Sequence, residues 1–279
     1  MPVSPLIGFD TEHVASKICK FIRTKVRDRS AVIGLSGGID SSVAVTLSVR
    51  ALGKEKVLAL VMPDSSATPS EDTEDARGLA TRLGIRCRTI DITKVSENLT
   101  EIASAGCEKK DRIAEGNVRA RVRMTTLYYI ANSEGGMVIG SGDRSELLIG
   151  YFTKYGDGGV DLLPLGCLYK TQVRELARNL GLPQKIIQKK SSPRLWRGQT
   201  AEGEIGISYK EIDAILYRIV DLRMKKDEIV RELGPGSAVK IEKITDMIRD
   251  SAHKRRGPQI PKLSEIMASK KPSVKGGSD

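Results

Sequence analysis

Along the first thirty residues, Val14, Ile18, Phe21, Ile22 and Val26 recur at helical spacing, predicting a helix from Asp10 to Asp28. A short apolar run, Ala31 to Leu35, then suits a buried strand. Ser41 to Leu52 is predicted as a helix ended by Gly53, and Val57 to Met62 as a second strand. A helix from Pro69 to Leu83 closes at Gly84, and Ile85 to Ile90 alternates as a third strand. Helices follow over Thr93 to Ala105 and Asn117 to Asn132, then a strand over Met137 to Gly140. Thr171 to Leu180 is predicted helical, stopped by Gly181 and Pro183, and late helices are expected over Tyr209 to Leu222 and Ser237 to His253. Strands that alternate with helices imply right-handed β-α-β units and a parallel sheet. The expected architecture is α/β, a doubly wound and mainly parallel sheet flanked by helices, with extra helices at both ends. There is no internal repeat and no long linker, so residues 1–268 are expected to form a single domain. The Lys/Ser/Gly-rich tail, 269–279, is expected to be disordered.

Size agrees with this picture: 279 residues at 39% hydrophobic content can bury a substantial core. No run of eighteen apolar residues predicts a membrane span, and Met1 to Asp10 lacks the basic-then-apolar pattern of a secretory signal. Cys19, Cys87, Cys107 and Cys167 are far apart and form no C-x-x-C pair. With two histidines in the chain, zinc ligation is not expected, and a reducing cytoplasm is. The formal charge, 46 − 35 = +11, favours a polyanionic partner, nucleic acid or nucleotide. Part of that excess sits in the C-terminal region, Lys254-Arg255-Arg256 included, and an aromatic content of 4% argues against a base-stacking platform for nucleic acid.

Chemistry concentrates where the first strand ends. Gly34-Leu35-Ser36-Gly37-Gly38-Ile39-Asp40-Ser41-Ser42 joins strand to helix. Adjacent glycines let the backbone approach an anion, and the amides of the helix N-terminus favour phosphate. Asp40 would repel a bare phosphate, so its place suggests a bridging Mg²⁺. The Gly-Lys-[Ser/Thr] ending of a Walker A loop and the Rossmann G-x-G-x-x-G are both absent. Taken alone, the same residues would also make a plain strand-to-helix turn capped by Asp40.

A second constellation lies downstream. In Asn117-Val118-Arg119-Ala120-Arg121-Val122-Arg123-Met124, Asn117 and Arg121 share one helix face, Arg119 and Arg123 another. Arginine suits forked contact with phosphate, though a solvated basic helix carries the same pattern. Gly140-Ser141-Gly142-Asp143-Arg144-Ser145-Glu146 follows the fourth strand. Gly150-Tyr151-Phe152-Thr153-Lys154-Tyr155-Gly156-Asp157-Gly158-Gly159-Val160-Asp161 is a turn whose glycine density is costly in entropy unless a ligand organises it. Leu168-Tyr169-Lys170-Thr171-Gln172-Val173 then opens a helix with Lys170 near its start.

The first loop resembles that of the ATP pyrophosphatases, which split ATP into AMP and pyrophosphate. With the later stretches, and with Leu195-Trp196-Arg197-Gly198-Gln199-Thr200, Glu204-Ile205-Gly206 and Ser251-Ala252-His253-Lys254-Arg255, the chain resembles the NAD synthetase family from about Ala31 to Arg256. That resemblance implies an adenine nucleotide alpha hydrolase-like, Rossmann-like fold. It implies that Gly34, Leu35, Ser36, Gly37, Gly38, Ile39, Asp40 and Ser41 bind ATP, with Ser141, Lys170 and Ser192. Around Ser192 this chain has Lys189-Lys190-Ser191-Ser192-Pro193 where relatives commonly have K-x-P-[ST]-A. Asp40 and Glu146 are implied as Mg²⁺ carboxylates, and Arg121, Lys154, Asp161, His253 and Lys254 as the deamido-NAD set. Asp157 is expected to orient the glycine-rich turn, Met62 to lie near adenine or in the core, and Asp143 and Arg144 to carry no catalytic weight.

The activity so implied is ATP-dependent amidation of deamido-NAD through an acyl-adenylate, yielding NAD, AMP and pyrophosphate. No protein nucleophile is required, and Asp40 and Lys170 are expected to support the transition state. Because 279 residues leave no room for an amidase domain, ammonia is the expected nitrogen donor. The resemblance also implies a homodimer with the dinucleotide at the subunit interface. Two other readings share the ATP chemistry or the fold: a tRNA-modifying ligase, and a non-catalytic adenine-nucleotide sensor.

Overall fold

A computed structural model of the chain describes residues 6–107, 109, 111–263 and 266; the tail expected to be disordered lies outside them. Helix α1 (Thr11–Val26) starts where the Asp10 carboxylate accepts from the His13 amide, and it buries Ala15, Ile18, Cys19, Ile22 and Val26. Phe21, one of the residues that predicted this helix, stays 40% exposed. Then come β1 (Ala31–Gly34), α2 (Ile39–Leu52), β2 (Val57–Val61), α3 (Ser70–Leu83), β3 (Arg86–Thr89), α4 (Thr93–Ser104), α5 (Arg112–Ser133) and β4 (Met137–Ile139). The four strands form one parallel sheet in the order β3-β2-β1-β4, with Ile33 opposite Ala59 on one side and Ile139 on the other.

Both faces of the sheet are covered, which explains the unbroken apolar runs in β1 and β2. Ala31, Ile33, Val57, Ala59 and Val61 pack with α1, α2 and α3. Val32, Leu58, Leu60 and Val138 pack with Val122, Leu127 and Ile130 of α5. The edge strand β3 departs from the expected alternation: Arg86 to Thr89 are all exposed, and Arg86 and Arg88 both pair with Glu134. A charged edge of this kind discourages pairing with another chain.

Crossovers through α2 and α3 build the sheet outward in one direction. The chain then returns past β1 to lay β4 on its other side. Loops leaving β1 and β4 therefore diverge at their carboxyl ends, the crevice where ligands bind in open parallel sheets.

The remaining helices are α6 (Arg144–Ile149), α7 (Lys170–Asn179), α8 (Gln184–Gln188), α9 (Ala201–Ile205), α10 (Tyr209–Leu216), α11 (Lys226–Leu233) and α12 (Ala238–Asp250). A second core unites Ile149, Tyr169, Ala201, Ile205, Tyr209, Ile212, Ile215, Ile229, Ile241 and Ile244. Several boundaries differ from the sequence reading. Helix α5 begins five residues early, because Asp111 accepts from the amides of Ile113 and Ala114. The helix expected to reach Leu222 is α-helical only to Leu216, then winds as a π-turn to Asp221. Helix α12 stops at Asp250, and Ala252–Arg255 is a 3-10 turn. Among the described residues no helix is long and apolar enough to cross a membrane.

Candidate active site

Strand β1 ends by feeding Leu35 to the neighbouring strand: its amide donates to Leu60 O at 2.9 Å. Beyond it the loop folds on its own hydroxyls. Ser36 N–H donates to Ser41 Oγ (3.2 Å), and the hydroxyls of Ser41 and Ser42 donate to Gly38 O at 3.1 and 2.7 Å. Gly38 is the N-cap of α2 and provides no side-chain cap, so the first turn of α2 keeps donors for an anion. Gly37 lies at φ +75°, against the backbone carbonyl of Asp72 on α3.

Opposite the loop, Lys170 opens α7 with its side chain fully buried. Its ammonium stands 2.7 Å from Asp40 Oδ2, 2.8 Å from Glu146 Oε1 and 2.9 Å from Asp143 Oδ2. Residues 40, 146 and 170 thus meet despite their distance in sequence. Burial disfavours the Lys170 charge, yet Asp143, Asp40 and Glu146 outweigh it and hold its pKa well above the ordinary value. Burial pushes Asp143 up to about 6 against the pull of Lys170, and burial with the charge of Asp143 pushes Glu146 well up. Ser141 lies two residues beyond β4, on the loop leading to this cluster.

Sequence reasoning gave Asp143 no weight, and the structure makes it the third carboxylate on Lys170. The signal was there in Asp143-x-x-Glu146: Asp143 caps α6, accepting from the Glu146 amide at 2.8 Å, while Glu146 reaches back. Tyr209 was also missed. It is fully buried, with its ring 5.0 Å from the Lys170 ammonium and its hydroxyl 3.5 Å from Glu146 Oε1.

The segment carrying Ser192 is tied down beside the phosphate loop. Lys189 pairs with Asp72 (2.7 Å) and Asp75 (2.6 Å), and Arg194 with Asp72 (2.7 Å). Ser192 Oγ accepts from the Arg194 amide at 3.1 Å.

The residues expected to hold deamido-NAD divide into groups. Arg121 donates to Lys154 O at 3.3 Å, which puts these two side by side, and Thr153 meets Asn117 on the same face of α5. The other face is internal: Arg119 pairs with buried Asp64 at 2.9 Å, and Arg123 donates to Met62 O at 3.1 Å. Met62 itself packs in the core beside Gly34. Both Asp161 oxygens have protein partners, the Tyr128 hydroxyl (3.1 Å) and the Val138 amide (2.8 Å). Asp157 accepts from the Thr153 amide at 2.8 Å, within the turn it was expected to orient. Lys254 donates to Gly150 O and Phe152 O at 2.7 and 2.8 Å. With exposed His253 it lines a cavity of about 610 Å³ that also takes in Ile149, Lys243, Asp246 and Met247.

A parallel doubly wound sheet, with an uncapped glycine loop after β1 and a lysine–carboxylate cluster beside it at the switch point, defines a nucleotide-binding α/β protein. The chain belongs to the NAD synthase family, whose profile matches residues 14–258. It is 52% identical over 262 residues to the NH(3)-dependent NAD(+) synthetase of Hyperthermus butylicus, covering 93% of this chain and 94% of that one. Among solved structures it resembles an NMN synthetase from Francisella tularensis (TM-score 0.80, 34% identity, 92% of this chain and 100% of that one). It also resembles an NH3-dependent NAD synthetase from Campylobacter jejuni (TM-score 0.74, 32% identity, 91% and 100%). These neighbours carry the Rossmann-like nucleotide alpha hydrolase fold anticipated from the sequence.

Proposed function

We propose that this protein is an ammonia-dependent NAD synthetase, a ligase that joins ammonia to the nicotinate carboxylate of deamido-NAD at the expense of ATP. The observation that carries the reading is Lys170, fully buried at a helix N-terminus and facing both Asp40 of the phosphate loop and Glu146. A carboxylate resists ammonia because its leaving group would be oxide; adenylation replaces that group with AMP. The carboxylate oxygen attacks the α-phosphorus, the bond to the bridging oxygen breaks, and pyrophosphate leaves. Ammonia then adds to the acyl carbon, AMP departs and a proton is lost. The amides at the start of α2 and the Lys170 ammonium meet charge growing on the pyrophosphate, so catalysis consists of positioning and charge stabilisation. The roles of Ser141 and Ser192 toward ATP, and of Arg121, Lys154, Asp161, His253 and Lys254 toward deamido-NAD, are parts of this proposal. For Asp161 and Lys254 they require the ligand to share existing partners.

The donor set suits Mg²⁺. Three carboxyl groups share one ammonium, and Asp40 Oδ1 is buried without a hydrogen-bond partner. Among the described residues no three His, Cys, Asp or Glu side chains form a ready-made cage; Mg²⁺ is commonly held by one or two carboxylates plus substrate phosphates. Asp40 and Glu146 would hold it, and when bound it would supply charge neutralisation on the triphosphate. A cytoplasmic homodimer completes the proposal. The stripe of Val95, Leu99 and Ile102 on α4, exposed by 56, 44 and 73%, gives it an apolar surface to bury.

The test is NAD formation from ATP, Mg²⁺ and ammonia with deamido-NAD as acceptor, run beside glutamine as donor and nicotinate mononucleotide as acceptor. Ammonia-dependent amidation of deamido-NAD is expected. Preference for the mononucleotide would move the assignment toward an NMN synthetase, and absence of pyrophosphate release with either acceptor would refute the ligase.

A further inference from the structure

Lys170 can serve the pyrophosphate only if α7 starts in the right place. Locally, Gln172 Oε1 reaches back to accept from the Tyr169 amide at 2.9 Å, which leaves the amides of Lys170 and Thr171 to be met. Tyr169 occupies the N-cap position and provides no side-chain cap for the first amides. They are met from elsewhere. The Lys170 amide donates to Ser145 Oγ at 2.9 Å, the Ser145 hydroxyl donates to Asp213 Oδ1 at 2.5 Å, and the Thr171 amide donates to Asp213 Oδ2 at 2.8 Å. Ser145, Lys170 and Asp213 are all fully buried.

From this geometry we infer that Asp213, acting through Ser145, is a positioning residue for the ATP chemistry: it caps α7 from α10 and locks the start of α7 to α6. The inference rests on the reading of Lys170 given above. Its direction is dictated by chemistry. A carboxylate only accepts, so both Asp213 oxygens must face donors, and Ser145 must spend its proton on Asp213 while its lone pair takes the Lys170 amide. Ser145 directly precedes Glu146, so the same bond that seats the backbone of Lys170 also seats Glu146, which meets the ammonium 2.8 Å away. A negative group at the N-terminus of α7 also suits the helix dipole. Asp213 touches neither the ammonium nor the phosphate loop in any of these bonds. Its influence passes through position.

The test is a double-mutant cycle read by calorimetric MgATP affinity and by the kinetics of NAD formation. Asp213→Asn keeps the shape but turns a donor toward one of two donors; Ser145→Ala removes the middle of the relay and serves as a second variant should the first fold poorly. In an otherwise unaltered chain each is expected to weaken MgATP binding by roughly tenfold, about the worth of one hydrogen bond to a charged group lost from the bound state when the ammonium is mis-seated. KM for deamido-NAD is expected to stay unchanged. In a Lys170→Ala background the same substitutions are expected to cost clearly less MgATP affinity, about threefold or under, because one of the two groups they position is gone and only Glu146 remains. Equal losses in both backgrounds, or no loss in the first, would overturn the inference. If the unaltered protein binds MgATP but forms no NAD, the proposed function fails and the affinity cycle still decides the role of Asp213. If it does not bind MgATP, both are wrong.

Discussion

Replacing Gly37 with alanine separates two demands that the phosphate loop makes on one residue. The backbone there has φ +75°, a region where an L side chain costs about 1–2 kcal/mol. An added Cβ would also lie 2.2 Å from the backbone carbonyl oxygen of Asp72, a contact that cannot exist. Relief requires the loop or the start of α3 to move, and overpacking of this kind costs about another 1–3 kcal/mol. Gly84 is the control. Its φ of +66° carries the same strain, but its nearest neighbour is the flexible Lys54 side chain at 3.5 Å. Thermal unfolding of both variants isolates the contact. At roughly 2 °C per kcal/mol for a chain of this size, Gly84→Ala should lower Tm by about 2–4 °C and Gly37→Ala by about 4–10 °C. MgATP affinity, measured by calorimetry, should fall tenfold or more in Gly37→Ala alone. If Gly37→Ala melts within a degree of Gly84→Ala and binds MgATP like the unaltered protein, the loop is not a rigid cradle.

Arg119→Ala should destabilise the fold by roughly 3 kcal/mol in urea titrations, because it takes the guanidinium from Asp64 Oδ2 and leaves the buried carboxylate with the Ser66 amide and hydroxyl on Oδ1; a loss below a third of that would show that Ser66 suffices. Lys170→Ala should cost roughly as much without nucleotide at pH 7, since three carboxylates lose their shared cation. That loss should shrink at pH 5, because Asp143 and Glu146, already raised in the folded state, then take up protons there; equal destabilisation at both pH values would count against the cluster. Glu211 is held down at about 2 by Lys240 and Ser208, below its ordinary 4.5, so its contribution is present above about pH 4.5 and lost as pH falls toward 2. Glu211→Gln should therefore destabilise at pH 7 and be neutral near pH 2, by under about 1 kcal/mol given the exposure of the pair; urea midpoints at the two pH values check the sign.

What the sequence made legible was contiguous. The phosphate loop, the strands around it and α1 to α5 each announce themselves within a single stretch of chain, because glycine pairs, apolar runs and 3.6-residue spacing act locally. Helices α6, α8, α9 and α11 escaped because they run for eight residues or fewer and complete too few turns to show a period. Metal and phosphate ligands were nominated by family resemblance, which could pair Asp40 with Glu146 but carried no information about Asp143. Nor could spacing distinguish the two faces of α5. Arg119 and Arg123 looked as suited to phosphate as Arg121, and only packing shows the first two turned inward onto Asp64 and Met62 O.

The second hydrophobic core explains why a nucleotide site at the edge of a four-stranded sheet needs so many helices beyond it. A fully buried lysine survives only where its charge is balanced, and here the balancing carboxylates come from α2, from the N-cap of α6 and from α6 itself. Members of the second core flank those groups: Ile149 ends the helix of Glu146, Tyr169 precedes Lys170, and Tyr209 and Ile212 bracket the approach of α10 to both. Packing among α6, α10 and α12 therefore sets how closely Glu146 and Lys170 meet, and any substitution that loosens this core reaches the phosphate site without touching it. The terminal helices, which in sequence resemble an appendage, form the wall against which the charge cluster is built.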